Sequence, residues 1–240
     1  MKKINRGIDA PLVPLIFILA SLMALFFWIT YRAYPFAWLN SLFAIAMLAG
    51  AVIFLHTSLR GKYQIWEQLT SELTIPKDAK ILDLGCGHGL NLIKFAQLIS
   101  PTGKVVGVDL WRSVDQSKNS RAATVKNLIA ANVQQKVSLK TADMADLPFG
   151  DETFNFVISS LAFHNIKPAA KRQRALQEAI RVLQPGGQLL LVDTGHYFKQ
   201  YQAVLAAHNL TNIQLTSAGV NGWWTGPWMR TMILTAQKAA

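Results

Sequence analysis

The segment ILDLGCGHG, at residues 81–89, has three glycines at alternate positions between an apolar run and a helical pattern. Gly85, Gly87 and Gly89 allow a ligand to approach the backbone closely, and the N-terminus of the following helix favours an anionic group. The dinucleotide fingerprint requires a glycine where Leu90 stands, and a Walker A loop would end in Gly-Lys-Ser/Thr. The segment therefore fits neither of these two phosphate-binding motifs.

Two carboxylates stand at the ends of the next two predicted strands. Asp109 ends the pattern VVGVDL, 24 residues after Gly85, where a carboxylate accepts hydrogen bonds from both ribose hydroxyls. Asp143 follows the third strand, where it can accept a hydrogen bond from an adenine amino group. Together these positions predict an adenosine-containing ligand whose other end is small and is not a pyrophosphate.

One histidine is a candidate for acid–base chemistry. His164, in LAFHNIK, follows the fourth predicted strand at its ligand-side end, and histidine titrates near neutral pH. A loop histidine bonded to the backbone explains the same position equally well, and His88 is expected to pack against the cofactor. Because Cys86 is the single cysteine, the sequence excludes a disulfide framework and a cysteine-based zinc cluster, and no metal is expected.

The elements that must position these residues alternate between apolar strand patterns and helical patterns. This alternation predicts an α/β fold with a mostly parallel sheet and helices on both faces. The last two strand patterns, TNIQLTSAG and RTMILTAQK, are joined by about ten residues, whereas a crossover between parallel strands needs a dozen or more. We therefore expect the last pair to be antiparallel, so that the sheet ends in a reversed strand.

The segments ILDLGCGHG, VVGVDL, TADMADLPFGDETFNFVISS and RVLQPGGQLLLVD occur in the order and approximate spacing of class I S-adenosylmethionine-dependent methyltransferases. Residues 62–240 resemble that family. The resemblance implies a Rossmann-like seven-stranded, mostly parallel sheet with a reversed last strand, and S-adenosylmethionine as the cofactor.

The resemblance also implies a set of cofactor-binding residues. They are Asp83, Gly85, Cys86, Gly87 and Gly89 for the methionine end, Asp109 and Leu110 for the ribose, Asp143 and Met144 for the adenine, and Ser159 and Ser160 for the floor of the site. Trp111 and the segment Asp115–Ser120 replace the short link of many relatives. We expect them to form a lid over the cofactor, with Trp111 a candidate substrate or membrane contact.

The N-terminal quarter of the chain is apolar over two long stretches. No charged residue occurs from Leu12 to Tyr31 or from Ala33 to Leu59, and each stretch exceeds the roughly 20 residues that cross a hydrocarbon core. A cleaved signal peptide has a shorter apolar run, and buried soluble helices are rarely apolar on every face. We predict a transmembrane hairpin over residues 1–60, with spans at about 12–31 and 35–59, and a methyltransferase domain over 61–240.

Charge predicts the orientation of this hairpin and its partners. Lys2, Lys3, Arg6, Arg60 and Lys62 flank the two spans on one side, and Arg32 alone marks the turn. By the positive-inside rule the N-terminus and the catalytic domain are predicted to be cytoplasmic in this integral membrane protein. The net charge of +11 favours an anionic membrane surface. Basic runs interleaved with aromatics, which would indicate nucleic acid, are missing from the sequence.

Three tryptophans stand in VNGWWTGPWMR, residues 220–230. This loop follows the last strand that runs with the parallel set, so it is expected on the ligand-side rim. We expect Trp223, Trp224 and Trp228 to lie at the membrane interface or to wall a hydrophobic acceptor pocket. The alternative is that they close the edge of the core.

The sequence therefore predicts transfer of a sulfonium methyl group, in which positioning of the nucleophile supplies most of the acceleration. The expected acceptor is a hydrophobic or amphiphilic small molecule: a lipid, a quinone-like ring, a thiol or an amine. Two alternatives stay open, a methyltransferase acting on a membrane-associated protein and a non-catalytic cofactor-binding module.

Overall fold

The computed structural model describes residues 7–112 and 117–239. Lys2, Lys3, Arg6 and Asp115, which entered the predictions of orientation and lid, lie outside this part. The helices are α1 (Leu12–Thr30), α2 (Trp38–His56), α3 (Lys62–Glu72), α4 (Leu90–Leu98), α5 (Arg121–Ala130), α6 (Ala169–Arg181) and α7 (Phe198–Ala207). The strands are β1 (Lys80–Leu84), β2 (Lys104–Asp109), β3 (Val137–Thr141), β4 (Phe154–Ser160), β5 (Leu183–Thr194), β6 (Leu210–Ser217) and β7 (Thr231–Lys238).

The first two helices pack against each other as an antiparallel hairpin. Their contact uses small residues: the ring of Phe17 lies against Gly50, and Ser21 Oγ donates a hydrogen bond of 2.8 Å to Ala44 O. Most of their large apolar side chains point outward and are exposed. The helical stretches Leu12–Thr30 and Trp38–Glu72 are both long and apolar enough to cross a membrane.

The sequence predicted a span that ends near residue 59 and a separate helix after it. The second helix of the structure does not end there. It continues through a π-helical turn, Thr57–Gly61, directly into α3. No proline interrupts the chain between Pro35 and Pro76, so nothing in the backbone chemistry forces a break. The second helix of the hairpin and the first helix of the α/β domain therefore form one uninterrupted helix.

The sheet has seven strands in the order β3-β2-β1-β4-β5-β7-β6. Strands β1 to β5 pair in parallel, whereas β7 runs antiparallel to both β5 and β6. The predicted α/β fold and its reversed last strand are thus confirmed. The chain order reverses direction between β1 and β4, which is the crevice where open α/β sheets bind ligands.

Each face of the sheet carries its own apolar core. Helices α6 and α7 cover one face, around Leu176, Leu205 and Leu189, and helices α3 and α4 cover the other, around Trp66 and Phe95. Because the central strands are apolar on both sides, they form without alternation of polar and apolar residues. This packing holds the carboxyl ends of β1, β2, β4 and β5 at one edge.

Candidate active site

The glycine-rich turn between β1 and α4 forms the centre of this edge. Gly85, Gly87 and Gly89 all have positive φ angles, of 75°, 46° and 84°, which side chains other than glycine rarely adopt. A Cβ atom at Gly85 would lie 2.3 Å from the Cβ of Ala162. Glycine is therefore required both for the turn itself and to keep the crevice next to β4 open.

Asp109, at the end of β2, forms hydrogen bonds with both the glycine-rich turn and the loop that follows β2. Its Oδ2 accepts a hydrogen bond of 2.8 Å from Gly87 N, and its Oδ1 accepts one of 2.5 Å from Trp111 N. Asn119 Nδ2 donates to the same Oδ1 at 3.3 Å. The carboxylate lines the cavity while it orders the backbone on both sides of the crevice.

Asp83 is the most strongly perturbed carboxyl group at the site. It is 1% exposed, and its Oδ1 has no hydrogen-bond partner in the described part of the chain. Burial and, secondly, the charge of Asp109 raise the pKa of Asp83 to about 8, against the opposing effect of a hydrogen bond from Asn91. A buried oxygen without a partner is costly, and a cationic ligand group at Oδ1 would remove this cost. The α-ammonium of S-adenosylmethionine fits this requirement.

The cavity brings together most of the residues predicted to bind the cofactor. Its walls include Asp83, Gly85, Cys86, Asp109, Leu110, Asp143, Met144 and Ser160. Burial, followed by the charges of Asp83 and Asp109, raises the pKa of the Cys86 thiol well above its usual value, so Cys86 is an apolar wall rather than a nucleophile. Ser159 lies beneath the site, where its Oγ donates to Leu84 O at 2.7 Å.

Asp143 is engaged by a neighbouring lysine. Lys171 Nζ, from α6, lies 2.5 Å from Asp143 Oδ2, and Ala145 N donates to Oδ1 at 3.0 Å. Although burial raises it, the hydrogen bonds from Lys171 and Ala145 hold the pKa of Asp143 below its usual value. Asp143 is therefore an ionised acceptor in the wall of the cavity.

His164 lies at the ligand-side end of β4 and is paired with a carboxylate from β5. Its Nδ1 is 2.6 Å from Asp193 Oδ1, and its backbone N donates to Asp193 Oδ2 at 2.9 Å. Because a buried carboxylate accepts only, Nδ1 is the donor and the basic lone pair of the neutral ring is on Nε2. The ring itself is not among the residues that line the cavity, whereas Ala162 and Asn165 beside it are.

Several cavity residues escaped sequence analysis. Asp9 precedes α1, Lys62 and Tyr63 open α3, and Asn165 and Lys171 come from the segment after β4. Lys62 and Asp193 do not belong to any motif that sequence analysis identified. They reach this edge of the sheet only because folding brings distant segments together. His88 packs in the glycine turn with its Nε2 2.9 Å from Ser117 O. Among the described residues, no group of His, Cys, Asp and Glu is arranged to hold a metal ion.

The tryptophan loop packs on the end of α2 rather than on the cavity. Trp224 is buried, with its ring 5.0 Å from that of Phe54, and its Nε1 donates to Thr231 Oγ1 at 3.1 Å. Trp223 is partly buried and its carbonyl accepts from Thr57 Oγ1. Trp228 is 77% exposed. Trp111 hydrogen-bonds through its Nε1 to Thr141 Oγ1 at 2.8 Å.

The family comparison agrees with this geometry. Residues 82–191 match the model of the methyltransferase domain family. Their relatives include the ubiquinone/menaquinone biosynthesis C-methyltransferase of Saccharophagus degradans, 32% identical over 134 residues, which are 55% of this chain and 50% of that protein. The demethylmenaquinone methyltransferase of Symbiobacterium thermophilum is 31% identical over 143 residues, 59% of this chain and 53% of that one. The chain spans about half the length of these curated relatives.

Solved structures show the same fold. An S-adenosylmethionine-dependent methyltransferase from Aquifex aeolicus superimposes with a TM-score of 0.56 at 16% identity, covering 71% of this chain and 88% of that one. The geranyl diphosphate C-methyltransferase of Streptomyces coelicolor gives 0.57 at 13% identity, with 73% and 75% covered. The α/β part of the chain therefore shares its fold with S-adenosylmethionine-dependent methyltransferases, and its residues 82–191 match the methyltransferase domain family. Together the comparisons support a methyltransferase domain with S-adenosylmethionine as its cofactor.

Proposed function

We propose that the protein is a membrane-anchored methyltransferase that moves the methyl group of S-adenosylmethionine to a hydrophobic small molecule with a quinone-like ring. The observation that carries this proposal is the position of the cavity. Asp83 and Asp109 share its wall with Lys62 and Tyr63, which directly follow the second apolar helix. The names of the two relatives above, both quinone methyltransferases, support the same acceptor class.

The membrane role of the hairpin is part of the proposal. Among the described residues, most large apolar side chains on the outer faces of the two helices are exposed rather than covered by the α/β domain, and a bilayer removes this area from water. We propose residues 1–60 as the anchor and 61–240 as the catalytic domain. Arg60 is exposed at the end of α2, which supports a cytoplasmic position for that domain under the positive-inside rule.

The roles of the cofactor-site residues follow from their surroundings. Asp83 would hold the α-ammonium of the methionine moiety, Asp109 the ribose hydroxyls, and Asp143 with the backbone of Met144 the adenine. When bound, the cofactor supplies a methyl group already activated on a sulfonium. The remaining task of the protein is to hold the acceptor atom in line with that methyl group and to exclude water.

The acceptor loses one proton when its carbon, oxygen or nitrogen atom gains the methyl group. His164 is the proposed base for that proton, and Asp193 holds its ring through Nδ1 and stabilises the imidazolium that forms. The support for this assignment is the pairing geometry and the continuity of His164 with Asn165 and Ile166, which line the cavity. Asp193 acts through His164 and is a positioning residue.

The tryptophan loop is proposed to lie in the membrane interface. Its packing on Phe54, near the end of an apolar helix, supports that position, as does the exposure of Trp228 and Met229. Tryptophan suits an interface because its ring is apolar while its N–H finds a polar partner.

The proposal is tested by supplying methyl-labelled S-adenosylmethionine to the full-length protein in lipid nanodiscs, together with total membrane lipid extract or a reduced demethylated naphthoquinone. We expect label in a lipid-extractable ring product. Asp78→Ala, a change at an exposed carboxylate remote from the cavity, is the matched control and should retain full transfer. Label found only in protein would favour the alternative of a protein methyltransferase. Cofactor binding without any transfer would leave a binding module.

A further inference from the structure

The wall of the cofactor cavity contains one residue of the hairpin segment and two residues that follow it directly. Asp9 lies three residues before α1, and Lys62 and Tyr63 open α3 immediately after the π-helical turn. None of these residues is part of the methyltransferase motifs, and all lie outside the matched range 82–191. The hairpin therefore contributes atoms to the binding site itself.

Asp9 is held in place by two residues of the continuous second helix. Its backbone N donates to Ser58 Oγ at 2.9 Å, and the same hydroxyl donates to Asp9 Oδ2 at 2.7 Å. Lys62 Nζ lies 2.7 Å from Asp9 Oδ2, and the side chains of Lys62 and Asp9 are only 6% and 17% exposed. Ser58 and Lys62 are four residues apart and so face the same side of the helix.

A pair buried to this extent is strongly localised. Removing either partner leaves the other as an uncompensated buried charge, which is far more costly than removing both. Asp9 is thus fixed relative to the end of α2.

The residue before Asp9 is joined to the loop on the other side of the cavity. Ile8 N donates to Ser117 Oγ at 2.9 Å, and Ser117 N donates to Ile8 O at 3.2 Å. Ser117 O in turn contacts His88 Nε2 in the glycine turn at 2.9 Å. Residues Gly7–Asp9, here called the strap, therefore run from the end of α2 to the loop that follows β2.

We propose that the strap closes the cofactor cavity and determines the rate at which the cofactor dissociates. Because α1 begins at Leu12, only three residues after Asp9, the position of the strap depends on the position of the hairpin. The proposed membrane anchor would therefore contribute to cofactor binding. Asp9, Ser58 and Lys62 are positioning residues for this closure. The closure itself rests on the proposed function only in requiring that the cofactor binds, and its link to the anchor rests on the proposed insertion of the hairpin.

The first test measures release of labelled S-adenosylhomocysteine from the full-length protein in nanodiscs, by chase with unlabelled ligand. The double variant Asp9→Ala/Lys62→Met removes both charges and leaves none uncompensated. We expect its release rate to rise about tenfold or more, since changes at a binding interface act mostly on dissociation. Asp78→Ala is the matched carboxylate control and should release at the wild-type rate. Thermal unfolding of each variant separates a closure effect from a loss of folding.

The second test locks the strap. Ile8→Cys/Ser117→Cys places two thiols where Ser117 N donates to Ile8 O and Ile8 N donates to Ser117 Oγ. Oxidation of the pair should slow release about tenfold, with recovery in dithiothreitol. The two single-cysteine variants should not respond to oxidation. Release rates that are the same in the oxidised lock, the charge variant and the wild type would overturn the strap while leaving the proposed function intact. A pair that cannot be oxidised would show that the strap is not at Ser117 and would also overturn it. Failure of the wild type to bind cofactor would instead refute the proposed function.

Discussion

Binding of S-adenosylmethionine is expected to release close to one proton from Asp83 at pH 7. With the pKa of the ligand-free group at about 8, about nine-tenths of the molecules carry a proton on Asp83 at pH 7. A ligand ammonium at the Oδ1 atom, which has no partner among the described residues, favours the ionised carboxylate and lowers its pKa well below 7. The bound state then holds no proton at this position.

Isothermal titration in buffers of different ionisation enthalpy measures this proton count directly. We expect a net release of about 0.8 proton at pH 7, where the α-amino group of the free ligand is mostly protonated. At pH 9 Asp83 is already ionised and most of the free ligand has lost its ammonium proton, so binding should instead take up a proton. Asp83→Asn keeps the shape of the side chain but cannot titrate, so at pH 7 its binding heat should depend on the buffer only weakly, through the ligand's own α-amino group. A wild-type binding heat that is independent of the buffer at pH 7 would refute the assignment of Asp83 to the ammonium.

The same pKa shift has a consequence for the stability of the ligand-free protein. The folded-state pKa lies above the ordinary value of 3.8, so the folded state binds the proton more tightly than the unfolded chain between about pH 4 and pH 8. The free energy of unfolding contributed by Asp83 is therefore largest at low pH and falls as pH rises through this window. Urea denaturation should show a weaker fall for Asp83→Asn than for the wild type.

Five further substitutions test the other assignments. Asp109→Ala should weaken cofactor binding at least tenfold, because about 2–3 kcal/mol of charge-assisted hydrogen bonding to the ribose is lost; unchanged affinity in a titration would remove Asp109 from the site. His164→Ala should lower turnover about 10²–10⁴-fold with cofactor affinity unchanged. Asp193→Asn should shift the pH–rate profile of methyl transfer. If the two residues have a purely structural role, both substitutions would change only thermal stability. Trp224→Ala should cost about 3–5 kcal/mol of stability because the ring is buried against the end of α2. Trp228→Ala should stay within about 0.5 kcal/mol, and bromine-labelled lipids should quench the fluorescence of Trp228 if it lies in the interface.

Local sequence patterns were sufficient for the sheet and for the centre of the cofactor cavity. The glycines of the turn, Asp109 and Asp143 each stand at a fixed distance from the strand that carries them, so alternation of strands and helices places them at one edge. The reversed last strand was predictable because a short connection cannot cross over a sheet. The helix Leu12–Thr30 was predictable from the length of the apolar stretch and its lack of charged residues alone.

The contacts between distant segments were decided only by the tertiary structure. Asp193 meets His164 across 29 residues of chain, and Asp9 meets Lys62 across 53. No periodicity or spacing encodes such pairs, since each depends on how two elements pack and on which buried charge needs a partner. The unbroken passage of α2 into α3 is of the same kind. A helix end is signalled by proline or a cap, and where the sequence offers neither, packing of Thr57 and Gly61 against the tryptophan loop determines the course of the backbone.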